Sequence, residues 1–311
     1  MGTLFTVGET PLRFSPPDRE QFVGSETVTM RAAGTESNVA IAAANLGADA
    51  RWVSKMPTTP IGKRVVSEIH QYGAKTDVTW SDSGRLGIEF YQRSAAPREE
   101  VVVHDHVDAT AASMTPGELP MERIQTADAV FAAGSTVALS ETAGETIESV
   151  LRAVQADEGL AVFDLEFDPD IWSADTARDA LAGIFDVVDV LIGNETQLRT
   201  VFARSGDHRE VAHGIASALD VEMLVMTRSE RGALVIEDSV LHESESVETE
   251  TVDPDGQHDA FVGAFVQQLL EGATTERALT YGVAAAATCR TIPGPIPAIE
   301  RSDVQRVAAD L

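Results

Sequence analysis

DPDGQHDAFVGAF (253–265) joins a turn to an apolar helix. Asp253, Pro254 and Gly256 are turn formers, and from Ala260 onward Phe261, Ala264, Phe265 and Leu269 recur at helical spacing. Gly256, Gln257, His258 and Asp259 therefore sit at a helix N-terminus, where unpaired N–H groups and the positive dipole end favour an anion. A carboxylate in that first turn, Asp259, can take a proton from a hydroxyl brought beside a bound phosphate. It can equally be an acidic cap that only stabilises the helix, since Gly-x-x-Asp is a common way to begin one. Phosphoryl transfer needs the anion site and the base side by side.

Working outward, the preceding half of the chain has a strand-helix rhythm. DAVFAAG (128–134), LAVFDLEF (160–167), VDVLIGN (188–194) and EMLVMTRS (222–229) are short apolar runs, each followed by a helical stretch. Runs apolar on both faces predict a parallel sheet covered by helices, with ligands at the carboxyl ends of the strands. Glu9, Asp164, Asn194 and Thr227 all fall at such ends. Nearer the N-terminus, LFTVGET (4–10) reads as a first strand and NVAIAAANL (38–46) as an Ala-packed helix stopped by Gly47. In contrast, 12–31 lacks helical periodicity, its portion 22–31 suggesting short exposed strands, and 84–92 and 99–105 alternate like strands with one exposed face.

Composition bounds the rest. The 311 residues suit one large α/β domain with a smaller appendage, and 43% hydrophobic residues supply a core. A formal charge of −27 disfavours nucleic acid and anionic membranes as partners. Only Lys55, Lys63 and Lys75 stand among the 23 basic residues, an acidic, lysine-poor balance like that of proteins from salt-in halophiles. With one cysteine, Cys289, there is no disulfide framework. No signal-peptide pattern follows Met1 and no apolar run spans a bilayer, so a cytoplasmic location is expected. The chain contains no G-x-x-x-x-G-K-[ST] and no G-x-G-x-x-G, which disfavours P-loop and nicotinamide chemistry. His104 and His106 share a strand face, but such a pair alone is more often solvated than metallated.

The opening stretch resembles the D-T-x-G-A-G-D-A-F signature of the PfkB (ribokinase-like) sugar kinases. Asp253, Gly256, Asp259, Ala260 and Phe261 match, while Gln257 and His258 stand where Ala and Gly are expected. The resemblance implies a three-layer αβα sandwich over residues 1–311, with a mostly parallel sheet and a β-sheet lid from about 12–33 and 84–108. It makes Asp259 the catalytic base and the N–H groups of 256–258 the anion hole, with ATP and Mg²⁺ as cofactors and K⁺ near Asp253. A side chain at 258 is expected to crowd the γ-phosphate or to require a backbone angle that His adopts poorly. AGTESNVA (33–40) is similar to the family's sugar-binding G-G-x-x-x-N-x-A, matching at Gly34 and Asn38; Asn38 also reads as a helix N-cap.

The order of landmarks most resembles 2-keto-3-deoxygluconate kinases. Where those hold a sugar acid with tyrosines and arginines, this chain has Glu89, His104, His106 and Asp168. On the nucleotide side, Asn194 begins an N-x-x-E motif whose last position is Gln197, implied to reach Mg²⁺ through water. Thr227 and Gly232 keep two positions of the T-x-G-x-x-G loop, and Ser229 replaces its first Gly. Two functions follow: an ATP-dependent sugar or sugar-acid kinase, or a descendant that binds sugar or nucleotide with little turnover. A homodimer through the lid is the expected assembly.

Overall fold

The computed structural model describes residues 2–311. Its strands are β1 (Thr3–Val7), β2 (Leu12–Ser15), β3 (Thr29–Ala32), β4 (Asp49–Pro57), β5 (Lys75–Ser81), β6 (Ile88–Gln92), β7 (Val101–Asp105), β8 (Ala129–Ala133), β9 (Leu160–Asp164), β10 (Val190–Asn194), β11 (Met223–Thr227), β12 (Ala233–Glu237) and β13 (Val240–Ser244). Nine form one sheet in the order β13-β12-β11-β10-β9-β8-β1-β4-β5. From β11 to β5 neighbouring strands are parallel. Only β12 runs against the others, pairing antiparallel with β11 on one side and β13 on the other.

Alternation within each strand feeds two cores. In β8, Val130 and Ala132 join one apolar cluster, while Ala129, Phe131 and Ala133 join the other. In β11, Leu224 and Met226 face the first and Met223 and Val225 the second. A sheet apolar on both sides must be covered on both sides. The result is the expected αβα sandwich with a mostly parallel sheet.

Two elements differ from the expectation. The β12–β13 hairpin turns at Asp238 and Ser239, both with positive φ (48° and 67°). Such a turn normally announces itself with Asn-Gly or Asp-Gly. β5 adds an edge strand after the helix Pro60–Gln71. In addition, the run read as 160–167 stops pairing at Asp164, and Glu166 takes a left-handed φ of 30° that turns the chain across the strand ends.

The remaining strands make a separate four-stranded sheet, β3-β2-β6-β7, with β2 and β6 parallel at its centre. Close helix packing sets the other wall of the cleft. Helix Thr35–Leu46 crosses helix Gln257–Leu270 so tightly that a Cβ on Gly263 would lie 2.6 Å from Ala42 Cβ and 2.8 Å from the Val39 carbonyl. Ala42, Ala43 and Gly263 are thus small because two backbones meet there. Among the described residues no helix is long and apolar enough to cross a membrane.

Candidate active site

A cleft of about 920 Å³ opens between the carboxyl ends of the parallel strands and the small sheet. Its floor is the start of helix Gln257–Leu270. Gly256 caps that helix with φ 73°, and a Cβ there would lie 2.4 Å from the Pro295 carbonyl, so the position requires glycine. His258 lies inside the helix and is not among the positive-φ residues, so the strain expected of it is absent; the left-handed angle falls on Gly256 instead. No protein group of the described residues accepts a hydrogen bond from the N–H of Gly256, His258 or Asp259, while Gln257 N makes a long contact of 3.4 Å to the Pro254 carbonyl.

Asp259 faces the cleft and accepts a hydrogen bond from Asn38 Nδ2 at 2.7 Å; the same amide donates to the Pro295 carbonyl at 3.0 Å. Asn38 is not an N-cap: Gly34 holds that place, and Asn38 N donates to its carbonyl at 2.9 Å. Asn38 Oδ1 is left buried with no partner among the described residues. Burial, together with the Glu166 carboxylate and against the pull of His258 and Asn38, pushes Asp259 up to about 8. Glu166 itself is pushed up to about 7 by burial and by Asp164, although Ser135 Oγ donates to it at 2.5 Å and Thr35 also donates.

The His258 ring is drawn between β9 and β11: Nε2 pairs with Asp164 Oδ2 at 2.5 Å and Nδ1 meets Thr227 Oγ1 at 3.2 Å. Burial disfavours its charge, but Asp164, with Asp259 and Glu166 nearby, raises it to about 9. The ring therefore stands as an imidazolium at the helix N-terminus. It also lines a second, smaller hollow of about 120 Å³ and so forms part of the wall between the two. That hollow collects Asn194, Thr227, Ser229 and Gly232, all expected on the nucleotide side, together with Phe261 and Arg290. Asn194 also caps the next helix, accepting from Gln197 N at 2.9 Å, and Gln197 faces the main cleft. Gly232 has φ 83°, and a Cβ there would lie 2.0 Å from the Ser244 carbonyl. Ser229, in contrast, holds φ 52° with a side chain. Ser229→Gly should therefore stabilise the protein by about 1 kcal/mol, read as a higher thermal midpoint.

On the sugar side the four expected residues do converge. His104 Nε2 is 3.1 Å from Asp168 Oδ2 and its Nδ1 3.3 Å from Glu89 Oε1; His106 Nδ1 is 2.6 Å from Glu9 Oε2. The hydrogen bond that His104 donates to Glu89, more than any other contact, raises the His104 pKa. Arg13 was not anticipated. Its Nε donates to Glu89 Oε2 at 2.6 Å and its Nη1 to Asp255, while the guanidinium lies 4.8 Å over the Tyr91 ring. Burial works against the Glu89 charge, but Arg13 and His104 hold that carboxyl down at about 2. Gly34 is needed because a Cβ would strike the Glu9 carbonyl at 2.6 Å.

Two cations were implied by resemblance, and only one fits. Asp253 is 1% exposed, and both its oxygens are taken: Oδ1 by Asp255 N at 3.1 Å, Oδ2 by Gly294 N at 2.7 Å and by the Arg93 guanidinium. A K⁺ ion finds no free carboxylate there, which corrects that expectation. Among the described residues no group of three His, Cys, Asp or Glu could hold a metal. Magnesium suits the site differently, since it keeps its waters and binds through substrate phosphates plus one or two protein oxygens. Glu166 and Gln197 offer such oxygens to the cleft.

The family model described as pfkB family carbohydrate kinase matches residues 1–301. A Haloferax volcanii protein named 2-dehydro-3-deoxygalactonokinase is 40% identical over 304 residues, covering 98% of this chain and 96% of that one. A Thermoproteus tenax 2-dehydro-3-deoxygluconokinase is 27% identical over 259 residues, covering 82% and 78%. Among solved structures, a Thermotoga maritima 2-dehydro-3-deoxygluconokinase superposes with a TM-score of 0.93 at 24% identity, over 99% of this chain and all of that one. An E. coli protein solved with ATP and Mg²⁺ gives 0.88 at 17% identity, over the whole of both chains.

Proposed function

Because this chain belongs to the pfkB family of carbohydrate kinases, we propose that it moves the γ-phosphoryl group of ATP onto a hydroxyl of a sugar bound in the main cleft, with Asp259 as the general base. The observation that carries this reading is the pairing of Asp259 with unpaired N–H groups in one helical turn, beside a cleft. The nucleotide would occupy the hollow beside Thr227, Ser229, Gly232 and Asn194, its phosphates directed toward Gly256–His258. The acceptor hydroxyl would then approach Asp259, whose carboxylate Asn38 Nδ2 holds in place.

Asp259 accepts the hydroxyl proton as the oxygen attacks phosphorus. The N–H groups of 256–258 and the His258 imidazolium oppose the negative charge that develops on the transferring group. Bound magnesium would neutralise the phosphates, held through water by Glu166 and Gln197. The small sheet, from about 12–33 and 84–108, would cover the sugar as a lid. Its edge strands and exposed Val101, Val103 and Phe90 support pairing with a second copy, which light scattering would reveal as a dimer. The lysine-poor composition and the Haloferax relative support a halophilic, cytoplasmic enzyme assayed in molar KCl.

The relatives' names support a 2-dehydro-3-deoxy sugar acid as acceptor, of gluconate or galactonate configuration. One observation favours a second reading, a neutral sugar. Glu9, Glu89, Asp168, Asp170 and Asp255 all line the cleft, and its one arginine, Arg13, is spent on Glu89 and Asp255. A sugar carboxylate has no guanidinium to meet, and Asp168 repels it. The deciding assay offers both 2-dehydro-3-deoxy acids, fructose and ribose with ATP and Mg²⁺. Asp168→Arg should raise kcat/KM for the acids by about tenfold and leave neutral sugars within about twofold. If a well-folded preparation phosphorylates none of them, a binding protein replaces the kinase reading.

A further inference from the structure

The loop 253–256 that delivers Asp259 to the cleft is fastened from outside by two arginines of the small sheet. Arg13, on β2, reaches Asp255, and Arg93, one residue beyond β6, reaches Asp253. β2 and β6 are paired neighbours, so the two tethers issue from one edge-to-edge unit. The Asp253 carboxylate is the buried centre of the loop, receiving Gly294 N from the C-terminal segment and Asp255 N from the turn. The Arg290 carbonyl, which holds this loop's backbone, already accepts from Val252 N and Asp253 N. A monovalent cation needs a shell of oxygens. Here a guanidinium covalently joined to the small sheet supplies the positive charge, and both Asp253 oxygens and the Arg290 carbonyl are already engaged by N–H donors.

We propose that Arg93 is a positioning residue that stands in for a monovalent cation at Asp253, so that loop order and turnover do not depend on which monovalent cation is present. The inference rests on the kinase reading for its activity arm only. Burial works against the Arg93 charge, but the hydrogen bond to Asp253, the charge of that carboxylate and the Tyr91 hydroxyl together raise its pKa, so the charge persists at any working pH. A mobile ion would order the loop wherever the small sheet happened to be. Arg93 orders it only when the small sheet is seated.

The test compares full-length wild type and Arg93→Met in KCl, NaCl and tetramethylammonium chloride at equal, molar ionic strength. Two readouts are taken: sugar phosphorylation with the best substrate of the panel, and the thermal unfolding midpoint with a non-hydrolysable ATP analogue. Wild-type rates should agree within about twofold across the salts once ionic strength is matched. Arg93→Met should lose about tenfold or more in tetramethylammonium chloride and regain part of it in KCl, a cation-specific rescue that a merely structural arginine would not show. A stabilisation specific to K⁺ should likewise appear in the variant and not in wild type. A wild-type rate that falls about tenfold without K⁺, or a wild-type midpoint that rises specifically with K⁺, overturns the proposal. Should Arg93→Met fail to fold, the wild-type midpoints alone decide. Should no sugar turn over in any salt, the kinase reading fails while the unfolding comparison still judges Arg93.

Discussion

Asp259→Asn is expected to lower kcat by about a thousandfold, at the upper part of what a general base contributes, while affinity for an ATP analogue stays within about twofold. The amide keeps the size and the hydrogen bond to Asn38 can be made by its oxygen, so the cleft should keep its shape. What is lost is the ability to accept a proton. The same carboxyl should set the pH dependence. With burial and Glu166 holding it at about 8, Asp259 of the free enzyme is mostly protonated at neutrality and becomes a competent base as pH rises. The acid limb of kcat/KM should therefore lie near 8, far above that of an ordinary aspartate. Glu166→Gln removes a neighbouring negative charge and should move that limb to lower pH. A limb at the usual carboxylate range in wild type, or full activity in Asp259→Asn, would remove Asp259 from the mechanism.

Away from the cleft, Gly263→Val should destabilise the protein by about 3 kcal/mol or more. The added Cβ meets Ala42 Cβ at 2.6 Å and the Val39 carbonyl at 2.8 Å, and backbone cannot move aside as a flexible side chain can. Relief requires helix Thr35–Leu46 to back away, and that helix carries Asn38. Survivors should therefore be less active as well as less stable, because the 2.7 Å Asn38–Asp259 contact lengthens with the gap. Denaturant unfolding gives the first effect and kcat of the folded fraction the second. An unchanged midpoint would refute so close a crossing of the two helices.

Much of this architecture was legible before any coordinates. Strands apolar on both faces forecast the parallel sheet, and turn residues ahead of an apolar helix located Asp259 at its first turn. What escaped reading was of a different kind. Arg13 sits in an exposed-looking alternating strand, and nothing local shows that it will meet Asp255, 242 residues away. The Asp238-Ser239 turn lacks the glycine that usually marks such a hairpin. His258 was read by its position in a motif, as a residue that would strain the backbone. Its partners Asp164 and Thr227, which give the ring its place and its charge, come from separate strands. Long-range polar pairing leaves no periodicity to detect.

The amide of Asn38 is steadied by the carbonyl of Pro295, 257 positions further on, and the glycine at 256 leans on that same carbonyl. A nascent chain emerging from a ribosome can build the sheet from residues 3–244, yet it cannot close this contact until residue 295 has emerged. Competence for catalysis should thus arrive only once residue 295 is in place, and a truncation before it should yield a silent product.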